Sequence, residues 1–194
     1  MNELLEKLRG GDLRSDGRAN EVVKDVLESR HLLPMVIQGL DEPDDVVRRR
    51  TADALEKISR IAPELLKEFM RKLTDLMVHD DVPMVRWHLV MICGNVELSH
   101  EEAQEVVSVL VHLLQDRSTF VRSWTVATLC ILGLKHEGNR REITERIRTL
   151  TDDESIAVRS RVARALDVLE FKSDVPAGWR KGQKGSSYRM DKGV

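Results

Sequence analysis

A valine–arginine pair recurs four times in this chain, and its spacing constrains the fold more than any other feature. The pairs are Val47-Arg48, Val85-Arg86, Val121-Arg122 and Val158-Arg159, separated by 38, 36 and 37 residues. A period in this range marks stacked supersecondary units, each too small to bury its own apolar surface. Counting each Val as zero, places four and five hold Thr51/Ala52, Leu89/Val90, Thr125/Val126 and Val162/Ala163. Place eight holds Leu55, Cys93, Leu129 and Leu166, and place eleven holds Ile58, Val96, Leu132 and Leu169. Places zero, four, eight and eleven lie along one stripe of a helix with about 3.6 residues per turn. Each pair therefore opens an amphipathic helix.

Residues suited to capping precede these helices: Asp44/Asp45, Asp80/Asp81, Asp116/Ser118 and Asp152/Asp153. Between them lie second amphipathic segments, at about Ala62–Val78, Ser99–Gln115 and Arg140–Leu150. Pro63 suits a first helical turn. Ser99 with Glu101 and Glu102 reads as a helix start, because acids favour that end of the dipole. Gly138 is expected to break the chain before the third segment. Upstream, Ala19–Ser29 and Leu32–Leu40 read as a divergent first hairpin, preceded by a short helix over residues 2–9. The pattern predicts an all-α fold, a right-handed α-solenoid of about four to five helical hairpins.

Composition agrees with this. Charged residues make up 33% and aromatics only 4%, which suits aliphatic helical packing better than an aromatic-rich sandwich. A formal charge of −2 provides no global attraction to nucleic acid or anionic lipid. Cys93 and Cys130 fall inside apolar helical patterns, so neither a disulfide framework nor a zinc motif is implied. The opening MNELLEKLRG lacks the apolar run of a signal peptide, and no stretch approaches the roughly 18 apolar residues of a membrane span. A cytoplasmic location is the expectation, with no membrane partner.

The segments DDVVRRRTADALEKI (44–58), VPMVRWHLVMICGNV (82–96), STFVRSWTVATLCIL (118–132) and ESIAVRSRVARALDVL (154–169) resemble the HEAT-repeat family. The resemblance covers about residues 17–170. It implies that the Arg after each Val joins a ladder with Asp of adjacent repeats, here Arg48, Arg86, Arg122 and Arg159. Domain boundaries follow: a HEAT-like solenoid over 1–170, with a divergent hairpin over about 1–40 and repeats starting near 44, 82, 118 and 154. A basic tail occupies 171–194. HEAT repeats say little about activity, because one fold hosts many functions.

Three enzyme families built from similar hairpins can be compared. Deoxyhypusine hydroxylases place His-Glu pairs at equivalent positions of several repeats, to bind iron. Here His100-Glu101 precedes a second helix, whereas His136-Glu137 lies in a link, so no ligand cage is expected. Alkylpurine DNA glycosylases carry basic residues and catalytic Trp, Asp and Arg on a concave face. In this chain Trp87 and Trp124 fall on the first helices, expected to line the convex side. The stretch His100–Asp116 also holds four acids and no Lys or Arg. Bilin lyases contain HEAT-like repeats too, but no feature of this sequence points to them. With no nucleophile elbow, phosphate loop or zinc-spaced set, the sequence predicts no enzyme and no cofactor.

The informative side chains outside the core pattern are Trp87, His88 and Trp124, at the second and third places after the Val. The repeat aligns Trp87 with Arg49 and Ser123, and His88 with Arg50, Trp124 and Arg161. Either Trp87 covers the shelf left by Ser123 while Trp124 stacks on Arg161, or these residues form a partner hot spot. The second helices offer Lys67, Arg71, Arg141 and Arg148 among Glu101, Glu105 and Glu145, and they are expected to line a concave groove. A protein or peptide partner bearing both signs would match.

The tail FKSDVPAGWRKGQKGSSYRMDKGV is rich in Gly, Ser and Lys and carries a net +4, leaving the body at −6. Val175–Trp179 is expected to fold back over the last hairpin, with Lys181–Val194 left mobile. The reading from sequence is a non-enzymatic scaffold for a protein or peptide. Nucleic-acid binding, in the manner of the DNA glycosylases or through the tail, is the alternative.

Overall fold

The computed structural model of the protein describes residues 3–171 and 173–179. Among these residues ten α-helices run in order: α1 (Glu3–Glu6), α2 (Ala19–Glu28), α3 (Leu33–Ile37), α4 (Asp45–Ile61), α5 (Met70–His79), α6 (Pro83–Asn95), α7 (His100–Leu113), α8 (Thr119–Lys135), α9 (Glu137–Arg148) and α10 (Ile156–Phe171). There is no strand among the described residues. Successive hairpins stack into an α-solenoid, and one continuous apolar core runs from Leu4 to Trp179. The four repeat valines, Val47, Val85, Val121 and Val158, are each fully buried. No helix among the described residues is long and apolar enough to cross a membrane.

Three of the four Val–Arg arginines bond an aspartate at the start of the following repeat. Arg48 Nε donates to Asp80 at 3.0 Å, Arg86 to Asp116 at 3.1 Å, and Arg122 to Asp153 at 2.8 Å. Each aspartate also accepts the backbone N–H two residues on, from Val82, Ser118 and Ser155 in turn. One carboxylate thus shapes the turn entering its own Val–Arg helix and binds the arginine of the repeat before it. Asp44 makes the same turn, accepting from Val46. Arg159 donates to the carbonyls of Asp153 and Glu154 in its own turn, and among the described residues no later repeat supplies it an acid.

Several boundaries depart from the sequence reading. The leading helix shrinks to Glu3–Glu6. The second segment after α4 opens as a 3-10 stretch, Pro63–Phe69, before becoming α5. Gly138 does not break the chain; it sits in the first turn of α9, which begins at Glu137 directly after His136. A glycine near a helix start leaves the hydrogen-bonded interior intact, so its helix penalty is small there. The start at Ser99 is as expected, with a capping box in which Glu102 accepts from Ser99 N–H at 2.6 Å. The hydrogen bond from Lys67, then that from the Ser99 backbone, holds the Glu102 carboxyl down to about 2.

The largest departure concerns the layers. The Val–Arg helices α4, α6, α8 and α10 pack closely side by side, whereas α5, α7 and α9 meet one another only lightly. In a bent two-layer stack, the more closely spaced layer lies inside the bend. α4 and α8 are also the most buried helices, while α9 buries only Asn139, Ile143 and Ile147. The Val–Arg helices therefore form the inner layer, and the expectation that the second helices line the concave side is reversed. Small residues permit the close approach. A Cβ on Gly133 of α8 would stand 3.1 Å from Leu169 of α10. Side-chain bonds then tie neighbours together, as in Thr128 Oγ1 donating to the Val90 carbonyl at 3.1 Å.

The described part of the tail does fold back. Trp179 is 8% exposed and belongs to the core, and Val175 packs against it. The segment Lys181–Val194, expected to be mobile, lies outside the described residues.

Candidate partner-binding surface

The third place after each repeat valine holds Arg50, His88, Trp124 and Arg161. Arg50 and His88 are buried, whereas Trp124 and Arg161 are half-buried. Trp87 of α6 lies 5.3 Å from the ring of Phe120, edge-on, and 6.3 Å from Trp124 of α8. The Arg161 guanidinium of α10 stands over Trp124 at 4.3 Å and over Trp179 at 5.7 Å. Three successive repeats and the tail thus contribute to one line of four aromatic rings and a cation.

Phe120 is 65% exposed, a large apolar area left to water. The sequence reading missed it. It occupies the place before the repeat valine, where the other repeats carry Val46, Met84 and Ala157, so an unusually large ring in that slot was the available signal. Trp87 is half-buried, yet its indole N–H is buried without an acceptor, and one Arg161 nitrogen, Nη1, is likewise buried and unpaired. Burial, then the neighbouring Arg164, lowers the Arg161 pKa below the usual arginine value.

His88 joins this cluster to a buried ionic group on α4. Its Nδ1 lies 2.5 Å from the Met84 carbonyl, and its Nε2 faces the Asp53 carboxylate at 3.6 Å. Lys57 donates to Asp53 at 2.7 Å. Burial alone would raise the Asp53 pKa, but His88 and Lys57 outweigh it and hold the carboxyl down to about 2. Glu56, one turn further on, is 1% exposed; burial raises its pKa despite Arg60 at 2.5 Å.

Asp53 makes a prediction about acid stability. A carboxyl depressed from 3.8 to about 2 stabilises the fold above the unfolded value and loses that contribution as pH falls through the folded one. Asp53→Asn should therefore cost about 2 kcal/mol at neutral pH, by the free energy of a pKa shift of this size. Urea midpoints measured across pH should show the deficit shrinking between pH 3.8 and about 2. A deficit constant down to the lowest pH would show that Asp53 acts through shape rather than charge.

The structure divides the site residues read from sequence. Trp87, His88, Trp124, Arg161 and Trp179 come together on the inner layer. Lys67, Arg71, Arg141 and Arg148 belong to the outer layer and are spread along it. Lys67 binds Glu102, Arg148 binds Glu170, and Arg141 binds Glu145 at 3.1 Å, so three of the four are already paired. Arg71 lines a shallow open depression with Phe69, Lys72, Asp75, Val78 and Val109, between α5 and α7. His100 and His136 do approach one another across α7 and the α8–α9 link, but among the described residues no group of three His, Cys, Asp or Glu could hold a metal ion. Cys93 and Cys130 are buried and form no disulfide; burial pushes the Cys93 thiol up to about 12.

No protein-family model and no curated relative matches the sequence. Among solved structures, the complex of CpcE and CpcF of phycocyanin lyase from Nostoc sp. PCC7120 contains a chain that superposes with a TM-score of 0.68 at 19% identity, over 84% of this chain and 95% of that one. A designed armadillo repeat protein superposes with a TM-score of 0.60 at 18% identity, covering 87% of this chain and 81% of that one. Computationally designed armadillo repeat proteins for modular peptide recognition give 0.61 at 19%, covering 86% and 80%.

The fold is that of the HEAT- and armadillo-like helical repeats. At these identities the likeness shows architecture alone. Within that architecture the aromatic line crosses adjacent repeats on the inner layer, so a ligand lying across the stack would meet one side chain from each.

Proposed function

We propose that this HEAT-like protein is a non-enzymatic scaffold that binds a protein or peptide along its inner layer, at Phe120, Trp87, Trp124 and Arg161. The observation carrying this reading is the placement of a 65% exposed phenylalanine beside two tryptophans and a stacked arginine. Trp and Arg are the residues most often found at interface hot spots, and a fixed ring offers contact area at little entropic cost. Repeat architecture supports it further, because designed relatives of the same fold recognise peptides. A cytoplasmic setting agrees with two buried cysteines that form no disulfide. Nucleic acid has less support: the body's net −6 opposes a polyanion, although Trp124 and Arg161 do belong to the layer that a glycosylase would use.

Peptides selected from a displayed random library would test the surface. They should bind the Trp87→Ala/Trp124→Ala variant at least about tenfold more weakly than the parent, as hot-spot truncations do. Arg71→Ala/Arg141→Ala, on the outer layer, should leave affinity unchanged. The opposite pattern would move the binding face to α5, α7 and α9.

A further inference from the structure

Among the described residues, the half-buried Arg161 is unlike the other buried and half-buried arginines of the Val–Arg helices. Arg48, Arg86 and Arg122 have aspartates, Arg49 has Asp16 at 2.9 Å, and Arg50 is ringed by backbone carbonyls. Arg161 has no carboxylate and no hydrogen-bond acceptor among the described residues, and its Nη1 is buried. A desolvated guanidinium without an anion is costly, and evolution commonly resolves that cost by pairing. Among the described residues its partners are the faces of Trp124 and Trp179. Stacking satisfies the plane of a guanidinium but not its N–H edge, which is built for in-plane, two-point recognition of an oxyanion. Trp87 adds a second buried donor lacking an acceptor on the same line of rings.

We propose that Arg161 receives a carboxylate of an acidic peptide segment, whose adjoining apolar side chain seats against Phe120 and Trp87. This rests on the partner-binding reading above and adds the chemistry of the partner. The chain's own tail is a poor source of that acid, since it carries a net +4. A continuous polyanion fits badly as well, because the body of the chain carries a net −6. One or two acids at the α10 end, followed by apolar residues toward α6, match both the charge and the exposed ring.

The test uses the full chain labelled with nitrogen-15, whose indole resonances report Trp87, Trp124 and Trp179 separately. Two synthetic peptides serve as probes: a phenylalanine flanked by glutamates, and the same sequence with glutamines. The glutamate peptide should shift the Trp87 and Trp124 indole signals and bind about tenfold or more tightly than its counterpart, the gain expected of a charge-assisted pair. Arg161→Gln should abolish that difference, and Arg161→Lys should restore only part of it, because an ammonium keeps the charge but loses the planar edge. If both peptides shift the indoles with equal affinity, the acid preference is wrong while the binding surface stands. If neither peptide perturbs any indole, the surface itself falls. Tighter binding of a single-stranded oligonucleotide at the same resonances would overturn the peptide assignment in favour of nucleic acid.

Discussion

Leu129→Ala should destabilise the fold by about 2–5 kcal/mol, the range of buried leucine truncations that leave a cavity. Leu129 is fully buried in α8, and α8 is enclosed by α6, α10 and the outer helices α7 and α9. No neighbour can relax into the space without disturbing another, so the upper half of the range is expected. The repeat supplies an internal control. Leu166 holds the equivalent place in α10 but is only half-buried, because no further repeat among the described residues stacks beyond it. Leu166→Ala should therefore cost about 1–2 kcal/mol, the transfer term for a partly exposed side chain. Urea denaturation of both variants checks the pair. Equal losses would mean that the end of the stack is as tightly packed as its middle. A Leu129→Ala midpoint matching the parent would mean that place eight does not face the core.

The stripe was legible because it is periodic and local, and the ladder because the HEAT resemblance implied it. A valine buried in one repeat predicts the next at the same register, and Asp80, Asp116 and Asp153 stand beside turns that any reader would cap. Which layer lies inside the bend was not legible in the same way. That depends on spacing between helices about 37 residues apart, set by small residues such as Gly133 against Leu169. A glycine in a helical pattern reads as a weak point until the neighbouring chain is seen to need its missing Cβ. Phe120 was hidden by its place just outside the stripe, where a single large residue breaks no rule. The meeting of Trp124, Arg161 and Trp179 required the tail to turn back, and the tail's composition argued for solvent as much as for docking. Its tryptophan and proline were the only hints.

Arg50→Met should cost about 3–5 kcal/mol and release the N-terminal segment, because it strips a buried charge from acceptors that have no substitute. In the repeat alignment Arg50 is merely the counterpart of His88 and Trp124. In the fold it is 2% exposed and holds an entire loop. Its Nε donates to the Ser15 carbonyl at 2.9 Å, and Nη1 donates to those of Leu8 and Arg9, each at 3.1 Å. Nothing in sequence marks such partners, since any residue has a carbonyl and these lie 35 to 42 positions away. The loop is shaped to fit: Gly11 and Gly17 adopt φ of +75° and +53°, and a Cβ on Gly17 would stand 2.6 Å from the guanidinium. A first hairpin with two short helices buries too little to close the stack by itself, so the loop over α4 serves as its cover. Hydrogen exchange should show the amides of residues 8–17 losing protection in Arg50→Met, while α8 keeps most of its own. Gly17→Ala should reproduce the local loss with the arginine still present, because the added methyl displaces the guanidinium and strains the backbone. Unchanged protection over residues 8–17 in both variants would show that the loop is held by α1 and α2 instead, and that Arg50 is a tolerated buried charge.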